Sequence, residues 1–126
     1  MANLLWIASG GAVGALLRYG MVMSVHRVFG SAFPWGTLTV NVVGSLLIGV
    51  LWSMAERVSF TAAASAFLFI GVLGAFTTFS TYALESANLF RDGKQLAALM
   101  NLLLSNATCI VAVVAGLKIG QYFWAG

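Results

Sequence analysis

The sequence predicts an all-α membrane protein with four transmembrane helices, the third of them broken mid-membrane. Three observations lead there. Of 126 residues, 61% are hydrophobic and only 7% are charged, and the mean hydropathy is +0.99. A water-soluble surface needs about 25% charged residues, so lipid must cover most of this chain. The apolar residues also fall into four long runs, separated by short polar links around His26, Arg57 and Asp92. Finally, the third run carries Thr77, Thr78, Ser80 and Thr81 between Gly74 and Glu85, interleaved with Phe79 and Tyr82. Contact with lipid does not explain so many hydroxyls.

These features bound the function. The length fits one integral-membrane domain, residues 1–126, and leaves no room for a separate soluble catalytic module. Function must therefore reside among the spans. The net charge of +3 arises from six scattered basic residues and three acidic ones, so no nucleic-acid patch is present. The single cysteine, Cys109, lies in an apolar run and offers neither a disulfide framework nor a metal cluster. The N-terminus lacks the basic region of a secretory signal, so the first run reads as a retained span. Glu56, Glu85 and Asp92 are the only carboxylates and are separated along the chain. No paired acid–base site can be assembled from them, and no enzyme is expected.

Span one covers residues 2–25, roughly 36 Å of helix, which crosses a ~30 Å hydrocarbon core. Gly10, Gly11, Gly14 and Arg18 recur on one face of it, leaving that face bare enough for another backbone to approach. The link holding His26, Arg27, Gly30 and Pro34 suits a turn outside the hydrocarbon, with Phe33 and Trp35 as interface anchors. Span two covers residues 35–55. Its Thr37, Asn41, Ser45, Gly49 and Ser53 step by four and form a polar and small stripe. Within it Asn41 is costly, because an amide in hydrocarbon must bond to a neighbour, a water or a permeant species.

A very short link with Glu56, Arg57 and Ser59 predicts that spans two and three are antiparallel neighbours. Span three covers residues 61–88 and span four residues 96–123, with Asn101, Ser105, Ala112 and Gly116 on one face. The basic residues of alternate links divide three against two, Arg27, Arg91 and Lys94 against Arg57 and Lys118. So even a division is compatible with insertion in either orientation.

The hydroxyl cluster of span three admits two readings. In one, the helix continues and each hydroxyl bonds to a carbonyl one turn earlier. In the other, threonines, aromatics and Gly74 weaken the helix until it breaks, and the freed carbonyls and amides face protein or a water-filled path. The same chain also supplies the Asn41 stripe, the Ser105 stripe and Arg18, with few acids. Together these favour anion passage: Asn41, Ser105, Arg18 and the threonine hydroxyls, Thr81 among them, can replace the water around a small anion. The positive ring edges of Phe79 and Tyr82 can add to that. None of this selects the anion.

At these residues the chain resembles the small four-span fluoride channels called Fluc, also known as CrcB. The resemblance covers nearly the whole chain: Gly10 to Tyr19, then Gly36-Thr37-Leu38, Val40-Asn41 and Gly44-Ser45, and above all Gly71 to Tyr82 with its Thr77-Thr78-Phe79-Ser80-Thr81-Tyr82 ending. It implies an antiparallel, dual-topology homodimer in the cell inner membrane, with two fluoride pathways that export cytoplasmic fluoride and a central structural sodium ion. By position it implies that the backbone carbonyls of Gly74 and Thr77 hold the sodium, and that Phe79 and Tyr82 are the pore aromatics. Asn41 becomes the pore amide, Ser105 a hydroxyl on the span-four track, Arg18 the basic residue near the mouth, and Glu85 an acid just beyond the aromatic pair. The chain departs from the family pattern at Tyr82, usually phenylalanine, and at Cys109, often a hydroxyl. The rival reading, a small proton-coupled multidrug exporter, requires a membrane-embedded carboxylate in span one, where this chain has Arg18.

Overall fold

Helices end here where the sequence removes the means to continue. In the computed structural model, which describes residues 1–124, α1 (Ala2–Phe29) runs past Val25 and includes His26 and Arg27 in its last turn. The sequence pattern alone puts those two in the link. Hydropathy marks the edge of lipid contact, not the end of hydrogen bonding, and the Arg27 guanidinium suits the carbonyl end of a helix. Gly30 stops α1 at φ 76°, a backbone conformation that favours glycine. Pro34 then precedes α2 (Trp35–Ala55), and the Phe33 and Trp35 rings meet at 4.7 Å across the turn.

The third unit is composite. Helix α3 (Ala62–Ser65) leads into a π-helical stretch, Ala66–Leu73, and then into the single turn α4 (Gly74–Phe76). Thr77 and Thr78 are extended, at φ −89°, ψ 158° and φ −152°, ψ 119°, a region that β-branched residues favour. Helix α5 (Phe79–Arg91) follows, and α6 (Gln95–Phe123) closes the chain. Among the described residues four helical units are long and apolar enough to cross a membrane: Ala2–Phe29, Trp35–Ala55, Ala62–Arg91 and Gln95–Phe123.

Two glycine-mediated contacts set the arrangement. Gly10 of α1 lies against Gly71 and the Phe67 carbonyl, and Gly14 against the Val72 carbonyl, so α1 and the π-helical stretch touch backbone to backbone. Gly49 of α2 meets Gly116 of α6 in the same way, and Gly120 meets Ser53. Close approach of this kind supplies dispersion contacts where no hydrophobic effect drives helices together. The chief partners are therefore α1 with the π-helical stretch and α2 with α6. Spans two and three touch only lightly despite the short link between them. Small residues, not link length, chose the neighbours. Leu5, Leu16, Leu103 and Val111 are exposed on the outside, where lipid would cover them.

Candidate functional site

The interval between α4 and α5 opens one wall of a groove of about 410 Å³ whose other walls come from α2 and α6. Asn41 and Ser45 line it from α2, and Ser105, Asn106 and Cys109 from α6. Gly74, Thr77, Thr78, Phe79 and Tyr82 complete it.

Local bonding explains why the chain is extended at Thr77 and Thr78. Thr77 Oγ1 donates to the Leu73 carbonyl at 2.9 Å, which closes the last turn of α4. Thr78 Oγ1 accepts from the Thr81 N–H at 3.2 Å and so caps α5. Asn41 holds the junction from across the groove. Its Nδ2 donates to the Thr78 carbonyl at 2.9 Å, and the Thr78 N–H donates to Asn41 Oδ1 at 2.8 Å. In a continuous helix the Thr78 N–H would reach back to the Gly74 carbonyl. Here it turns to Asn41 instead, and Gly74 is exposed. The methyl group of Thr77 fills the space that a side chain at Gly44 would need.

Arg18 approaches the same junction from α1, its Nη1 lying 3.5 Å from the Thr77 carbonyl. Phe79 stands 76% exposed and meets Tyr82 edge-on at 5.3 Å with 63° between ring planes. Tyr82 is buried. Thr81 is exposed on α5, and its hydroxyl accepts from Thr78 Oγ1 at 3.1 Å. Ser105 is buried and donates to Asn101 Oδ1 at 3.2 Å. From there the network passes through Asn101 Nδ2 to Ser86 Oγ and on to the Tyr82 carbonyl, each step 2.9 Å. Glu85 stands apart from the groove. Its Oε1 accepts from Thr37 Oγ1 at 2.8 Å, while its buried Oε2 has no protein partner.

Asn41, Phe79, Tyr82 and Ser105 thus line one groove with Gly74 and Thr77, whereas Arg18 and Thr81 reach it through neighbours. The helical stripes of the sequence include Asn101 but not Asn106 or Ser86. Asn106 Nδ2 donates to Tyr82 Oη at 2.9 Å. Stepping by four from Asn101 selects Ser105 and skips Asn106, yet a second amide in an apolar run was itself a signal.

The chemistry available is that of polar hydrogens, main-chain carbonyls and ring edges along an open, partly apolar path. No group of three His, Cys, Asp or Glu side chains gathers among the described residues. The four apolar helical units and this groove define a multi-pass membrane protein. The chain belongs to the CrcB family: the family model described as CrcB-like protein, Camphor Resistance (CrcB), matches residues 5–117. It is 44% identical to a protein of Salinibacter ruber named Fluoride-specific ion channel FluC, over 100% of this chain and 95% of that one. A protein of the same name from Magnetococcus marinus is 44% identical over 92% of this chain and 95% of its own. Another, from Parabacteroides distasonis, is 43% identical over 96% and 94% respectively. These relatives do not favour the exporter reading.

Proposed function

We propose that this chain is a passive fluoride-selective channel that exports cytoplasmic fluoride across the cell inner membrane and relieves fluoride toxicity. The observation that carries the reading is the groove in which Asn41, Phe79, Tyr82 and Ser105 meet the extended Thr77–Thr78 pair, in a chain 44% identical to named fluoride channels. A small anion leaving water must trade its hydration for donors. Amide and hydroxyl protons and ring edges offer these at close range, and the charge of Arg18 raises the local anion concentration. A passive path suffices for export, because an inside-negative membrane drives an anion outward with about 2.3 kcal/mol per 100 mV.

The working unit is an antiparallel, dual-topology homodimer with two pores. Exposure of Phe79, Ser80, Thr81 and Gly74 supports this, since a hydroxyl-rich face is poorly matched to lipid and well matched to a second copy. In that assembly the interruption at Thr77 and Thr78 lies mid-membrane, where protein must surround it. The residues also fit a structural sodium ion. The Gly74 carbonyl is released from the Thr78 N–H, because that group donates to Asn41, and main-chain carbonyl oxygens suit a hard cation. Gly74 and Thr77 with their counterparts in the second copy would hold it, and the bound charge would tie the two copies together. The long contact of Arg18 with the Thr77 carbonyl leaves a lone pair of that oxygen for the ion.

The test is fluoride efflux, read by a fluoride electrode, from liposomes containing the purified chain. Flux that is selective over chloride is expected. Absence of flux from correctly assembled protein would overturn the reading.

A further inference from the structure

Tyr82 brings a hydroxyl into the groove, and the bonding around Asn106 fixes what that hydroxyl does. Asn106 Nδ2 donates to the Leu102 carbonyl one turn back at 2.7 Å and to Tyr82 Oη at 2.9 Å. A main-chain carbonyl only accepts, so the Leu102 oxygen sets the orientation of the amide: nitrogen, not oxygen, faces that side. Both protons of the nitrogen then have acceptors, and the phenolic oxygen receives one of them. Having accepted from Asn106, Tyr82 retains its own proton for another acceptor. No protein group among the described residues takes it, and both side chains line the groove.

We infer that Asn106 is a positioning residue that makes Tyr82 a hydrogen-bond donor to the permeating anion. This rests on the fluoride-channel reading. With both amide protons engaged, Asn106 does not serve the anion itself. It acts through Tyr82, turning an aromatic wall that offers only weak ring-edge attraction into one with an O–H donor. A charge-assisted bond of that kind is about twice as strong as a neutral one. The expected consequence is tighter anion occupancy beside Phe79, whose ring packs edge-on against Tyr82 at 5.3 Å.

The experiment is a double-mutant cycle on fluoride flux from liposomes, with flux measured against fluoride concentration. Tyr82→Phe and Asn106→Leu should each raise the half-saturating concentration about three- to tenfold. Asn106→Leu in the Tyr82→Phe background should add nothing. Asn106→Asp is nearly isosteric and guards against a folding defect. Its carboxylate can only accept, so it captures the phenolic proton and should impair fluoride binding at least as much as Asn106→Leu. An equal shift from Asn106→Leu with and without the Tyr82 hydroxyl would overturn the inference, and so would wild-type behaviour of Asn106→Asp. Ultraviolet resonance Raman spectra of a Tyr19→Phe, Tyr122→Phe variant isolate the Tyr82 phenol. The bands should report an accepting phenolic oxygen that is lost in Asn106→Leu, and they should respond to fluoride only when Asn106 is present. Unchanged bands in Asn106→Leu would refute the positioning role. Failure of all fluoride flux, with the phenol bands still dependent on Asn106, would instead refute the channel reading and with it the anion as the proton's acceptor.

Discussion

Asn41 grips Thr78 by both of its main-chain polar groups, donating to the carbonyl at 2.9 Å and accepting from the N–H at 2.8 Å. One side chain thereby satisfies the amide and the carbonyl of an extended residue in an apolar setting. Each group left unpaired costs about 1–3 kcal/mol. Asn41→Leu is therefore expected to lower stability by about 2–4 kcal/mol, measured as thermal unfolding of the purified protein in detergent. Asn41→Asp keeps the acceptor but opposes the Thr78 carbonyl with a carboxylate, and should cut fluoride flux roughly tenfold or more. Unaltered stability in Asn41→Leu would show that the junction does not depend on this grip.

Phe79 separates conduction from folding. Because its side chain is 76% exposed within one chain, Phe79→Ile should leave the stability of the subunit within about 0.5 kcal/mol. The positive ring edge disappears, however, and fluoride flux should fall roughly tenfold. Full flux from the isoleucine variant would remove the ring from the anion path.

How much of this was legible in the sequence follows from how local each cause is. The four apolar units announce themselves by composition alone, and the stripe from Thr37 to Ser53 announced a helix face with work to do. What the stripe touches was not local information. Thr37 meets Glu85, Asn41 meets Thr78, and Gly49 and Ser53 meet α6, so one periodic pattern serves two different partners. The pairing of α2 with α6 was hidden because a short link suggests adjacency, whereas Gly49 and Gly116 decide it by backbone contact. The helix does not continue through the hydroxyl cluster, yet one back-bond of the continuous reading survives in it. Thr77 back-bonds to Leu73 while Thr78 caps the following helix. Asn106 escaped because its partner, Tyr82, is 24 residues away, and helical spacing sees only the neighbours on one helix.

The glycine contacts give a test of the fold itself. A methyl group at Gly71 would collide with the backbone of Gly10 and Gly11, whereas one at Gly11 meets no atom within 4 Å inside the chain. Gly71→Ala should destabilise the protein by about 1–3 kcal/mol. Gly11→Ala should leave the subunit's thermal stability nearly unchanged. Equal behaviour of the two variants in detergent unfolding would refute the α1 packing described above.

Sodium dependence probes the carbonyl pair. If Gly74 and Thr77 hold a cation between two copies, exchanging sodium for a large organic cation should lower the unfolding temperature and release monomers. Each hundredfold excess of ion over its dissociation constant contributes about 2.7 kcal/mol. Native mass spectrometry or light scattering in the two media reads the outcome. Dimers of the same stability in both would remove the ion from the structure.

Arg18 separates steering from architecture. Its Nη1 is 3.5 Å from the Thr77 carbonyl, too long for a strong bond, so the contact contributes little to the fold. Its charge acts over a longer range, since opposite charges still attract across a Debye length of about 8 Å at physiological ionic strength. Arg18→Ala should therefore lower fluoride flux about three- to tenfold at low ionic strength while the protein assembles normally. Added inert salt should depress the flux of the parent protein more than that of the variant, so the two converge at high salt. Arg18→Lys keeps the charge without the planar fork and should recover most of the flux. A salt-independent deficit in Arg18→Ala, unrepaired by lysine, would instead assign the guanidinium a fixed structural contact with the Thr77 carbonyl.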